Sequence, residues 1–121
     1  MIKRVFTAFL GTRHDRDRKR MLPIVAAIHG HEERLASVTD DEVRAQTVKF
    51  RALLQERTGE LEARAAELRD RKRTAADAAE REKLDTELTG DDGLGGVEGA
   101  LREAIAETLD EILPEAFATV R

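Results

Sequence analysis

The chain has 121 residues with 38% charged and 3% aromatic side chains, so bulky apolar material for a deep, self-sufficient core is scarce. With no cysteine, disulfides and thiolate metal sites are excluded. No apolar run reaches the roughly 20 residues of a membrane span, and no signal peptide is legible because the first apolar cluster ends at Leu10, so a soluble or peripheral protein is expected.

The net charge of −4 hides an asymmetry: residues 1–20 carry +5 and the remainder −9, a basic arm before an acidic body. Within that arm Ile2, Val5, Phe6, Phe9 and Leu10 share one face at helical period, while Lys3, Arg4 and Thr7 face away. Nine such residues make about 14 Å of helix, too short to cross a bilayer and long enough to lie in its surface. Gly11 ends the pattern, and Arg13, Arg16, Arg18, Lys19 and Arg20 follow at once. Each cation near an anionic leaflet contributes about 1 kcal/mol, so the apolar face plus the cations describes a reversible anchor. The plainer reading is that Phe6 and Phe9 pack on the protein and the arginines are a solvated face. Nucleic acid is not expected, since no stacking aromatics interleave the basic residues.

From about residue 15 to 36, Met21, Leu22, Ile24, Val25, Ala27, Ile28 and Leu35 predict a helix with a buried face, in which Pro23 should start a turn or a kink. His29 and His31 lie two apart, on nearly opposite sides of such a helix and with only Glu32 and Glu33 nearby, so they read as surface or capping residues rather than metal ligands.

The stretch 39–88 predicts one continuous helix. Thr39-Asp40-Asp41-Glu42 spells a capping box with acids in the first turn. Phe50, Leu54, Leu61, Leu68 and Ala75, with Thr58, Ala65, Lys72 and Ala79, form a narrow seam. Residues 55–88 hold 18 charged side chains and no Val, Ile, Phe or Pro, so the helix suits one arm of an antiparallel hairpin. Segment 90–99, five glycines in ten residues, reads as a flexible connector and the place where the hairpin turns. It lacks the preceding strand and closing Gly-Lys-Ser/Thr of a phosphate loop, and the ligand ladder of a calcium loop. Val97, Leu101, Ile105, Leu109 and Ile112, with Ala104 and Thr108 beside them, make the returning seam. Pro114 suits a first helical turn, and Ala116, Phe117 and Val120 are still periodic at the last residue, so the end reads as cut. The fold expected is all-α: an amphipathic helix, a kinked helix, then a long antiparallel hairpin.

Four blocks carry a resemblance: Phe6-Thr-Ala-Phe-Leu-Gly-Thr-Arg-His-Asp15, Arg20-Met-Leu-Pro-Ile-Val25, Val38-Thr-Asp-Asp-Glu-Val-Arg-Ala-Gln-Thr-Val-Lys-Phe-Arg51 and Ile112-Leu-Pro-Glu-Ala-Phe-Ala-Thr-Val-Arg121. In this order they resemble the N-terminus of the SecA family, over about residues 1–54 and 109–121, with Leu-Pro-Glu-Ala-Phe-Ala the most specific block. Residues 55–108 depart from the many SecA proteins that join these blocks by a short link, and look like the helical insertion of some lineages. The implied domains are 1–12, an amphipathic membrane- or channel-contacting helix; 13–54, family-like helices; 55–108, a hairpin insertion turning at 90–99; and 109–121, the start of the motor domain.

The resemblance implies the leading part of an ATP-driven motor that exports secretory preproteins through a SecY-type channel, cytoplasmic and peripheral on the inner face of the membrane, α/β when complete. The membrane-facing role would fall on Ile2, Lys3, Arg4, Val5, Phe6, Phe9, Leu10, Arg13, Arg16, Arg18, Lys19 and Arg20. ATP and Mg would belong to the complete motor, because the family's adenine-contacting motif and Gly-x-x-x-x-Gly-Lys-Thr loop are expected after the last residue here; hydrolysis by this chain alone is not expected. Anionic lipid, the channel and preproteins are the implied partners, and a homodimer is compatible. The other function class is a freestanding helical-hairpin adaptor or coiled-coil interaction protein without enzymatic activity, which composition and seam allow equally.

Overall fold

In the computed structural model, residues 12–121 are described, and among them the chain is all-α: four helices and no strand. The helices are α1 (Arg13–Leu35), α2 (Asp40–Thr74), α3 (Ala78–Thr89) and α4 (Gly96–Val120). The described residues divide into two compact units, one of residues 12–44 and 113–121, the other of residues 45–112.

In the first unit both helix starts are built by reciprocal caps. The Asp15 N–H donates to Thr12 Oγ1 at 3.2 Å while the Thr12 N–H donates to Asp15 Oδ2 at 2.8 Å, so α1 begins earlier than hydrophobic periodicity alone indicates. The expected box at α2 is present: the Thr39 N–H donates to Glu42 Oε2 at 2.7 Å and the Glu42 N–H to Thr39 Oγ1 at 3.3 Å. Pro23 does not start a turn; α1 runs through it. Pro114 likewise lies inside α4 rather than opening a new helix. No residue of α1 is fully buried. Ile24, Ala27, Ile28 and Leu35 are half-buried, while Met21, Leu22 and Val25 are exposed, so the expected buried face is covered along only part of its width. On α4, Ala118 is buried, and Arg121 Nη1 donates to Glu32 Oε1 at 2.9 Å.

The second unit is the helical hairpin, and here the structure corrects where the chain reverses. The stretch 39–88 is not one helix. It breaks at 75–77, where Asp77 caps α3 by accepting from the Ala79 N–H at 3.2 Å. Arg81 Nε donates to the Ala75 carbonyl at 2.8 Å, satisfying an acceptor that the end of α2 leaves open. Beyond the turn, α3 runs back along α2: Lys72 pairs with Asp85 and Arg64 with Glu87. Ala65, Leu68, Leu84 and Leu88 close a small core, with Ala75 and Val97 packed on it. The returning arm continues as α4, again antiparallel to α2, through Arg69 to Glu98 at 2.7 Å and Arg57 to Glu111 at 3.4 Å.

The glycine-rich segment therefore interrupts the returning arm instead of forming the hairpin tip. Local hydrogen bonds hold this connector. Asp92 Oδ1 accepts from the Leu94 N–H at 2.9 Å and the Gly95 N–H at 3.2 Å, and Arg102 Nη2 donates to the Leu94 carbonyl at 2.6 Å. Gly96 has φ +62°, and a Cβ there would sit 2.7 Å from the Glu87 carbonyl oxygen, so the close approach of α3 to α4 needs glycine.

The seam holds as far as the break: Thr58, Ala65 and Leu68 are buried and Phe50, Leu54, Leu61, Lys72 and Ala75 half-buried, whereas Ala79 lies beyond it in α3 and is exposed. On α4 the stripe drifts: Thr108 is buried while Leu109 is 47% exposed. Both buried threonines turn their hydroxyls onto their own helix, Thr58 to the Leu54 carbonyl at 2.9 Å and Thr108 to the Ala104 carbonyl at 2.7 Å.

Candidate attachment site

Of the twelve residues that sequence assigns to membrane contact, Ile2, Lys3, Arg4, Val5, Phe6, Phe9 and Leu10 lie outside the described residues. Arg13, Arg16, Arg18, Lys19 and Arg20 occupy the first two turns of α1, and all five are exposed. The capping box places them on a formed helix from its first residue, so their directions are fixed by helical geometry. At about 100° per residue, Arg13, Arg16, Lys19 and Arg20 fall within about 120° of circumference, and Arg18 lies on the other side.

None of the five forms an ion pair with another described residue. The carboxylates among them differ in what occupies them. Asp15 is engaged by the cap: the Thr12 backbone N–H first, then the Thr12 hydroxyl, hold its carboxyl below the usual aspartate range, with nearby Lys19 adding to the effect. Asp17 stands at the edge of the cationic arc. The four-cation side thus carries net positive charge at neutral pH.

The side of α1 that bears Arg18 also bears the exposed Met21, Leu22 and Val25, at 58, 54 and 44%. Sequence reading assigned these three to a buried face. Helical spacing sets them to one side of Ile24, Ala27, Ile28 and Leu35 but does not tell which side is covered, because solvent exposure depends on what packs against the helix. The first unit leaves a second apolar surface on α4, lined by Leu113, Ala116, Phe117 and Val120.

Chemistry of other kinds has little to stand on among the described residues. No group of three His, Cys, Asp or Glu converges for a metal. His29 Nδ1 is 2.9 Å from Glu32 Oε2, and His31 pairs with Arg34, so both act as local surface partners. A cleft of about 390 Å³ lined by Glu32, Leu35, Ala36, Val43, Ala118, Thr119 and Arg121 has its one carboxylate already taken by His29 and Arg121. No described helix is long and apolar enough to cross a membrane.

Comparison with known proteins places this architecture. The profile described as the SecA DEAD-like domain matches residues 6–121. The chain belongs to the SecA family. A protein translocase subunit SecA of Salinibacter ruber is 34% identical over 92% of the chain and 11% of its own length. One of Christiangramia forsetii is 34% identical over 97% of the chain and 10% of its own length. One of Bdellovibrio bacteriovorus is 37% identical over 54 residues, 45% of the chain and 6% of its own length. The chain thus spans about a tenth of the length of the SecA relatives that align across it. No solved structure matches.

These alignments widen the sequence reading. The resemblance was legible only over 1–54 and 109–121, yet a match covering 92% or 97% of the chain must run through the hairpin. The first two SecA relatives named here align across this segment too.

Proposed function

We propose that this chain is the leading part of a SecA-type translocase, a motor that uses ATP to drive secretory preproteins through a SecY-type channel. What supports this is the alignment with translocase subunits over nearly the whole chain. In this reading ATP and Mg are held by parts of the protein not contained here, and the assembly is cytoplasmic and peripheral on the inner face of the membrane. Residues 13–54 and 109–121 are family-typical helices, and 55–108 are an inserted hairpin. The chain's own contribution is attachment to anionic lipid or the channel: the apolar residues Ile2, Val5, Phe6, Phe9 and Leu10 insert at the interface, and the basic residues after them meet headgroups.

Two experiments test the two levels. Reading the genomic frame beyond the Arg121 codon should find a strand followed by Gly-x-x-x-x-Gly-Lys-Ser/Thr; a stop codon there removes the motor. Flotation with phosphatidylglycerol vesicles should be abolished by Phe6→Asp with Phe9→Asp; unchanged binding removes the anchor.

A second reading, a freestanding hairpin adaptor, draws on the hairpin's own core of Ala65, Leu68, Leu84 and Leu88. It requires one cooperative melt of the whole chain and a defined dimer by circular dichroism and sedimentation, whereas in a leading part separated from its body only the hairpin should melt cooperatively.

A further inference from the structure

We infer that anionic headgroups are met by one side of α1 alone, the side formed by Arg13, Arg16, Lys19 and Arg20, and that Arg18 takes no part. This rests on the attachment reading above and refines it, because composition counts five equivalent cations where the helix separates them into four and one. The four share an arc of about 120°. The opposite side carries Arg18 among Met21, Leu22 and Val25, all exposed. A helix lying on a charged surface presents one side to it. A charge on the far side stands about 10 Å further away, the diameter of the helix, which is comparable to the Debye length at physiological salt. The far-side cation is therefore largely screened, while the near-side ones act at full strength.

Charge reversals of equal size separate side from sum. Arg16→Glu, Arg20→Glu and Arg18→Glu each change the net charge by the same amount, and all three positions are exposed, so helix content by circular dichroism should be unaltered. In flotation with phosphatidylglycerol vesicles at physiological salt, Arg16→Glu and Arg20→Glu should each weaken partitioning by about tenfold, and Arg18→Glu by less than about twofold. Equal losses at all three positions would overturn the one-sided contact while leaving attachment intact. Loss with Phe6→Asp and Phe9→Asp but with none of the three reversals would also overturn it, leaving an apolar anchor only. If the unmodified protein does not float, the attachment reading itself fails. If it is instead retained on duplex DNA in a manner that these reversals weaken, the partner is nucleic acid and the inference falls with it.

Discussion

Thr12 and Thr39 each lead a helix, and each holds a carboxylate three residues on. At Glu42 the Thr39 backbone N–H, then its hydroxyl, hold the carboxyl below the usual glutamate range. Its folded-state value is thus depressed relative to the unfolded chain, so the pairing stabilises above the ordinary carboxylate range and is lost as pH falls through the depressed value. Replacing Thr39→Ala should cost about 1 kcal/mol in urea unfolding and return Glu42 toward the ordinary value in carboxylate NMR titration. A titration midpoint unmoved by the substitution would mean that the hydroxyl adds nothing to what the retained backbone N–H does for the carboxyl. The buried threonines make a different case. Because Thr58 donates to its own helix, its hydroxyl contributes little to joining the arms, so Thr58→Val should change stability by less than about 1 kcal/mol. Thr58→Leu adds bulk to a fully buried position and should cost about 1–3 kcal/mol. If valine proves as damaging as leucine in denaturant melts, the hydroxyl has a role across the seam that its hydrogen bond does not reveal.

Among the elements, the hairpin tip and the glycine turn were harder to read than the seam. Heptad spacing from Leu54 to Ala75 is a property of consecutive residues, and the α2 seam follows it. The break at 75–77 contains neither Gly nor Pro, so residue punctuation gives no warning; its signal is Asp77 before Ala-Ala-Glu, an N-cap that becomes visible only once Arg81 is seen closing the preceding carbonyls. Five glycines suggested looseness where the chain in fact needs room. At Gly96 positive φ and contact with the Glu87 carbonyl act together, so Gly96→Ala should destabilise the hairpin by more than the ordinary helix preference for alanine would gain. A thermal midpoint equal to or above that of the unmodified protein would show that the turn can relax. The site divides in the same way: the cations of α1 were legible one by one, and their separation into sides required knowing that the helix starts at Arg13.

For the whole molecule the balance lies between a small core and many charges. The cross-arm pairs Arg57–Glu111, Arg64–Glu87, Arg69–Glu98 and Lys72–Asp85 are exposed or half-buried, and none is fully buried. Pairs of this kind contribute about 0–1 kcal/mol each and are screened by salt. Leu68 is 0% exposed, and Leu68→Ala should cost about 2–5 kcal/mol. Raising salt to 1 M should therefore lower the thermal midpoint by only a few degrees, while Leu68→Ala removes the cooperative transition. A salt effect larger than the substitution would reverse this ranking and make the hairpin an electrostatic rather than an apolar structure.

The seam positions 54, 58, 61, 65, 68, 72 and 75 alternate steps of four and three, and the tip beyond them is closed by local contacts of Asp77 and Arg81. Such an arm can lengthen or shorten during evolution without redesign, provided that seven or eleven residues are gained or lost on the outgoing arm and a matching number on the return, since a step such as two or five rotates the apolar stripe away from its partner. Hairpins at this position in other family members should then differ in length by about fourteen or twenty-two residues at a time, with the tip carried along unchanged.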